Sequence, residues 1–207
     1  MVINRKDNRI DVKYSLKEKI LNFLIENKHK YTILEISRKL NVDYKNVHQV
    51  ISKIYPKLIY KEKKGNINLV EIRLNPNVEI YNIEEKRTLD LLRRNNKIRL
   101  IKEDIDSIDY PFFIVLLFGS YAKGNATDKS DIDICVITDN KEKFKELDLK
   151  LRLLPYKIQL QEFTTKEFVS MLNIKGDNIS MEIVKNNYIL FGIENYYDLI
   201  SRWMKKE

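Results

Sequence analysis

Residues 111–138 read PFFIVLLFGSYAKGNATDKSDIDICVIT. The first part, 111–120, is a continuous apolar run that stops at Gly119-Ser120. Such a run reads as a fully buried strand. A polar stretch with Gly124 inside it follows and marks a turn. DIDICVIT then starts as an alternating strand and becomes wholly apolar. One buried strand therefore ends in Gly119-Ser120, and the next opens with Asp131 and Asp133.

The arrangement is G-S-x(10)-D-x-D. Two carboxylates at i and i+2 on a strand point to the same face. No packing need explains them, because like charges at the start of an apolar strand repel and must be solvated or neutralised. A divalent cation neutralises both. Mg²⁺ takes oxygen ligands, commonly one or two carboxylates plus phosphate oxygens of a substrate. A Gly-Ser at the end of the neighbouring strand permits close backbone approach. It also supplies N–H and hydroxyl donors to a phosphate. Together the two features describe a site for a metal and a nucleoside triphosphate.

Residues 116–136, LLFGSYAKGNATDKSDIDICV, resemble the signature of the polymerase-β-type nucleotidyltransferase superfamily. They are similar, more narrowly, to the minimal nucleotidyltransferases found with HEPN-domain partners in toxin–antitoxin pairs. The resemblance covers about residues 84–207. It implies that Gly119 and Ser120 hold the β- and γ-phosphates of ATP and that Asp131 and Asp133 bind Mg²⁺. Ser120, Asp131 and Asp133 are then the catalytic set. The implied activity is transfer of a nucleoside monophosphate from ATP to a hydroxyl of a macromolecule, with pyrophosphate leaving. The implied acceptor is a HEPN-type toxin, since antitoxin-like members modify a tyrosine of their partner. Lys123 lies in the phosphate-proximal loop, where it either contacts the triphosphate or is a solvated lysine.

The superfamily usually places a third carboxylate on the next core strand. Here YKIQLQEF (156–163) alternates like that strand, and the expected position falls on Gln159, or less well on Gln161. An amide can coordinate through its carbonyl oxygen but cannot take a proton as a general base. Glu162 is the nearest acid and is one residue out of phase unless a bulge shifts it. Three outcomes are open: Asp133 or the metal activates the hydroxyl, Glu162 supplies the carboxylate, or the domain binds nucleotide without turnover.

Around this core the pattern predicts an α/β (α+β) domain over 82–207 with a mixed sheet flanked by helices. A helical stretch runs from Ile83 to Ile108, broken near Asn95-Asn96, with charges of alternating sign as on a solvated helix. A helix covers 141–154. Thr164 and Glu167 form a capping box for a helix to Leu172. A short strand covers 187–192, and a last helix covers 193–206. Its aromatic stripe of Tyr196, Tyr197 and Trp203 reads as core packing.

Residues 1–81 read differently. Ser15 caps a helix to about Lys28, Thr32 and Glu35 box a second, and a third starts near Tyr44 and ends before Pro56. LIYKEKKGNINLVEIRL then reads as two strands joined by a turn at Lys63–Asn66. Three helices and a hairpin resemble a winged helix-turn-helix domain. In that family the third helix enters the DNA major groove and the hairpin touches the backbone. Lys45, His48, Gln49 and Lys53 on the helix, and Lys63 and Lys64 on the hairpin, are the residues such a domain would offer to double-stranded DNA. Charge agrees: residues 1–81 hold 17 Lys and Arg against 9 Asp and Glu, whereas residues 82–207 hold 21 of each.

Composition excludes several classes. The chain has 207 residues with 43% hydrophobic residues, enough for a core, and only 5 glycines and 4 prolines. One cysteine and two histidines rule out an internal disulfide framework and Cys- or His-rich metal sites. No apolar run approaches the roughly 20 residues of a membrane span, and the N-terminal stretch has no secretory apolar region. A cytoplasmic protein is expected, with no membrane partner. Two alternatives to macromolecular transfer stand. One is a DNA-binding regulator whose second domain senses nucleotide. The other is a small-molecule, antibiotic-type nucleotidyltransferase, against which the basic first domain speaks.

Overall fold

The computed structural model describes residues 13–174 and 178–204. The chain folds in the order α1 (Leu16–Asn27), β1 (Tyr31–Thr32), α2 (Ile33–Leu40), α3 (Tyr44–Ile54), β2 (Ile59–Lys64) and β3 (Ile67–Ile72). Next come α4 (Val78–Arg94), α5 (Asn96–Asp106), β4 (Ile114–Phe118), α6 (Gly119–Ala122), β5 (Ile132–Ile137) and α7 (Lys141–Leu151). The chain closes with β6 (Ile158–Phe163), α8 (Thr165–Leu172), α9 (Ile179–Lys185), β7 (Tyr188–Phe191) and α10 (Ile193–Met204). The expected end of the last helix, residues 205–206, lies outside the described residues.

Local signals set the helix starts. Ser15 with Glu18, Thr32 with Glu35 and Thr164 with Glu167 all form complete capping boxes. Lys28 and Asn41 end α1 and α2 in the left-handed region, at φ 47 and 50. The Asn95 N–H bonds Leu91 at the end of α4, while its side chain accepts from Ile98 N at 3.2 Å to start α5. That double duty is the break expected at Asn95-Asn96.

The first three strands form a sheet in the order β1-β3-β2. Lys64 pairs with Ile67, so the hairpin turn is the two residues Gly65-Asn66. The turn is tighter than the four residues read from the sequence, because Gly65 at φ 61 suits a two-residue connection. The second sheet has the order β6-β5-β4-β7. β4 is antiparallel to β5 and β7, and β5 is parallel to β6, so the sheet is mixed. Its faces alternate along each strand. Ile114, Leu116, Phe118, Cys135 and Ile137 pack to one side, and Val115, Leu117, Ile132, Ile134 and Val136 to the other. The second side is covered by α5 and α7. The first merges with the core of residues 20–83 into one continuous cluster.

That continuity changes the reading of α4. The expected division at residues 81/82 falls inside this helix, whose start is set by the Asn77 side chain accepting from Glu79 N. Nor is α4 a solvated helix: Glu84 is 0% and Arg87 is 5% exposed. They are buried because they bond each other. Glu84 also accepts from the Tyr197 hydroxyl at 2.7 Å, and Arg87 donates to the Asn187 carbonyl at 3.2 Å. Buried ions need such partners. Beside them the Lys28 amine donates to the Val184 carbonyl at 2.6 Å and to Asn187 Oδ1 at 3.3 Å. It thereby ties the end of α1 to the α9–β7 connection.

Burial pulls the Lys28 ammonium down to about 8. Below about pH 8 Lys28 is charged in both folded and unfolded chains. Between about pH 8 and 10 the folded chain releases the proton that an ordinary lysine keeps, so stability rises with pH there. Relative to Lys28→Met, the wild-type chain is expected to gain stability in denaturant melts across that window. A difference that stays flat with pH would contradict a buried amine.

Candidate active site

β4 delivers its last residue, Phe118, opposite Asp133 of β5. The chain then turns at Gly119, whose φ is +67. Glycine is required there for a second reason as well: a Cβ at this position would lie 2.0 Å from Asp133 Oδ2 and 2.8 Å from its Cγ. The backbone of Gly119 thus lies directly against the Asp133 carboxylate, and the two halves of the G-S…D-x-D pattern meet. Ser120 follows in α6. The loop back to Asp131 is held by its own bonds, from Asn125 N to Ser120 O at 3.1 Å and from Thr127 N to Ser130 Oγ at 2.9 Å.

Asp131 and Asp133 share a face, as their spacing requires. The Gln159 amide donates to Asp131 Oδ2 at 2.7 Å, and Lys157 Nζ is 4.0 Å from Asp131 Oδ1. Burial first, and then the charges of Asp131 and Glu182, push the Asp133 carboxyl above the usual carboxylate range, with Lys123 opposing. Two carboxylates this poorly compensated fit a divalent cation, which the oxygen donors suit. Among the described residues there is no cluster of three acidic, histidine or cysteine side chains that would hold an ion without substrate oxygens.

β6 lies beside β5 with Gln159 in register with Asp133 and Gln161 with Cys135. Gln159 therefore occupies the position where the third carboxylate was expected. Gln161 sits one step farther along the same face. Glu162 does not serve. The β5–β6 register runs from Ile132↔Ile158 to Ile137↔Phe163 without a shift. Glu162 then pairs with Val136 and points to the opposite face, away from Asp131 and Asp133.

One residue at the site was not anticipated from the sequence. Glu182 of α9 accepts from Lys123 Nζ at 2.6 Å. It brings an acid to the end of α6 from 59 residues away in the chain. The Asn178 cap of α9, which accepts from Met181 N, was the signal that could have placed this helix. Lys123 is accordingly paired with Glu182 rather than free in solvent.

The residues expected to meet DNA lie far from this site in sequence, on α3 and on the hairpin. Lys45, His48, Gln49 and Lys53 are exposed on α3, and Lys63 and Lys64 are exposed at the hairpin. Among the described residues none of these four lysines has an ion-pair partner. The Tyr44 and His48 rings, 6.0 Å apart, line a groove shared with Asn66 and Ile67 of the hairpin.

Residues 96–195 match the family described as Polymerase beta, Nucleotidyltransferase. Three proteins of Methanocaldococcus jannaschii, each named “Putative protein adenylyltransferase”, are similar to this chain. One is 32% identical over 100 residues, covering 46% of this chain and 72% of the relative. The second is 34% identical over 113 residues and the third 35% over 112, each covering 54% of this chain and 90% of the relative. The chain belongs to the polymerase-β nucleotidyltransferase family. A chain of the crystal structure of a toxin-antitoxin with AMP-PNP aligns with 54% of this chain and 87% of its own length, at 24% identity and a TM-score of 0.33. In the nucleotidyltransferase fold described here, the family match begins at α5 and includes β4, β5, β6, β7 and the acid pair. α4 and everything before it lie outside the match.

Among the described residues no helix is long and apolar enough to cross a membrane. Cys135, the lone cysteine, is buried in β5, where burial pushes its thiol up and out of reactive range.

Proposed function

We propose that the chain transfers the adenylyl group of ATP to a hydroxyl of a protein. The observation that carries this reading is the contact of the Gly119 backbone with the Asp133 carboxylate. It brings the Gly119-Ser120 turn beside the Asp131/Asp133 pair, which supports a shared site for phosphate and metal. Asp131 and Asp133 would hold Mg²⁺, which neutralises charge on the triphosphate and on the leaving pyrophosphate. Gly119 and Ser120 would hold the β- and γ-phosphates, with Lys123 exchanging Glu182 for phosphate oxygens. The acceptor oxygen forms a bond to the α-phosphorus, and the bond to the β-phosphate oxygen breaks with its electron pair. Gln159 takes no proton. The hydroxyl proton goes to Asp133 or, with the metal lowering the pKa of the hydroxyl, to solvent.

A protein acceptor is supported by the names of the three archaeal relatives. The resemblance of residues 116–136 to minimal nucleotidyltransferases supports a HEPN-type toxin as that protein. The test uses ATP labelled at the α- or the γ-phosphate with Mg²⁺ and candidate acceptor proteins. Label from the α-position alone is expected on protein. Label from the γ-position would overturn the reading, as would label on a small aminoglycoside-type acceptor in place of protein.

The residues before α4 form, in this reading, a winged helix that docks on duplex DNA. Its element order, its exposed lysines and its share of the net charge support this. Changing Lys45, Lys53, Lys63 and Lys64 to Glu is expected to abolish duplex binding. The wild-type affinity is expected to fall steeply with salt, since each neutralised phosphate contributes about 0.9 to the log–log slope. Undiminished binding by the fourfold variant in a shift assay would sink the DNA reading.

A further inference from the structure

The order β6-β5-β4-β7 leaves two sheet edges. The β7 edge is closed by α4. Thr88 Oγ1 donates to the Ile189 carbonyl at 3.0 Å and Arg87 to the Asn187 carbonyl at 3.2 Å. The β6 edge is open. Ile132 N bonds the Lys157 carbonyl and Thr138 N bonds the Phe163 carbonyl, so the odd-numbered residues of β6 face β5. In a parallel ladder the intervening residues turn both N–H and C=O outward. Those residues are Ile158, Leu160 and Glu162, and among the described residues their backbone groups make no hydrogen bond.

Edge strands are normally blunted by proline, charged side chains or a bulge. β6, with the sequence IQLQEF, carries a single charge, Glu162 near its end, has no proline, and its register is unbroken. A groove of about 580 Å³ runs along the open edge. Asp148, Leu151 and Arg152 of the α7 end form one wall, and Gln159 and Asp131 form the other. Whatever fills this groove lies beside Asp131 and Gln159.

We propose that the protein acceptor binds as an extended segment that adds a fifth strand to the free edge of β6. This rests on the reading of the chain as a protein adenylyltransferase. Outward N–H and C=O groups repeating at every second residue are complemented by another strand, not by a helix or a small metabolite. Strands in a sheet lie about 4.8 Å apart, so the added strand runs roughly 10 Å from Asp133. A residue opposite Gln159 that points to the Asp131/Asp133 face carries its side chain toward the site. Sequence choice by the enzyme then depends on alternate residues of the segment, those whose side chains face the acid pair.

The probe is a panel of synthetic nonapeptides rich in Val and Thr, each with one central hydroxyl residue, offered with α-labelled ATP and Mg²⁺. Labelling of peptides is expected. N-methylation of alternate backbone nitrogens in one register is expected to cut labelling about tenfold or more, while the other register leaves it unchanged. Glu162→Pro removes one outward N–H from an exposed position and no bond to β5. It is expected to cut peptide labelling similarly and to leave calorimetric ATP binding unchanged. Equal labelling with both methylation registers would overturn the proposal. So would unlabelled peptides beside labelled folded protein, or an edge-to-edge dimer of the chain that Glu162→Pro dissolves. Failure of ATP binding, or of transfer to any protein, would instead remove the adenylyltransferase reading on which the proposal stands.

Discussion

Adenylyl transfer by the Asp131→Asn/Asp133→Asn variant is expected to fall by about 10³-fold or more, with the fold intact. Both side chains sit at the end of β4–β5 at the sheet rim and are only partly buried. Neither donates to or anchors the core. Their mutual repulsion works against the folded state, since burial and Asp131 both raise the Asp133 carboxyl. Asparagine keeps the shape and one oxygen of each group but removes the two charges that a cation needs. Thermal melting should therefore be unchanged or slightly raised while activity is lost. Calorimetry separates the causes: ATP binding that depends on Mg²⁺ in the wild type should lose that dependence in the variant. Retained transfer would show that the pair is not the site. Loss of activity with a lowered melting temperature would show a structural role instead.

Gly119→Ala is expected to be nearly as damaging through a different cause. The added methyl meets Asp133 Oδ2 at 2.0 Å, closer than any real contact, and alanine resists a φ of +67. Left-handed backbone and the clash together cost about 2 kcal/mol of stability. The larger effect falls on geometry, because either α6 or the Asp133 carboxylate must move. Transfer should drop by about 10²-fold, since displacements near 1 Å suffice for that. Gly119→Ala/Asp133→Ala provides the check. Removing the carboxylate relieves the clash, so part of the lost stability should return while activity does not. Equal melting of the single and double variants would mean that the contact is not what glycine is there to permit.

The parts of the candidate site that were legible in the sequence are those written in local signals. Gly119, Ser120, Asp131 and Asp133 lie within 15 residues of one another, and two apolar runs frame them. The three capping boxes were legible for the same reason: cap and partner are three residues apart. What stayed hidden depends on pairs distant in the chain. β1 is two residues long and exists because Tyr31 pairs with Val70. Glu182 reaches Lys123 across 59 residues, on a seven-residue helix too short to show a period. Glu84 and Arg87 looked like solvated helix charges because nothing in a linear pattern announces that Tyr197 and Asn187 will receive them. Glu162 illustrates the reverse case. Its phase was readable, and only a bulge would have rescued it; the unbroken β5–β6 register shows that there is none.

The buried polar seam bears on how this chain can be inherited. A nucleotide-transferring unit that ended cleanly at residue 82 could be passed between proteins as a cassette. Here the first turn of α4 would stay behind with the N-terminal helices, and so would Lys28. The Val184 carbonyl and the Asn187 amide would lose their donor in a buried place. Ile80 and Ile83, both fully packed, would also be divided between the two pieces. Recombination that swaps the N-terminal unit for another must therefore carry α1 and α4 together, or rebuild the Lys28, Glu84 and Arg87 positions at once.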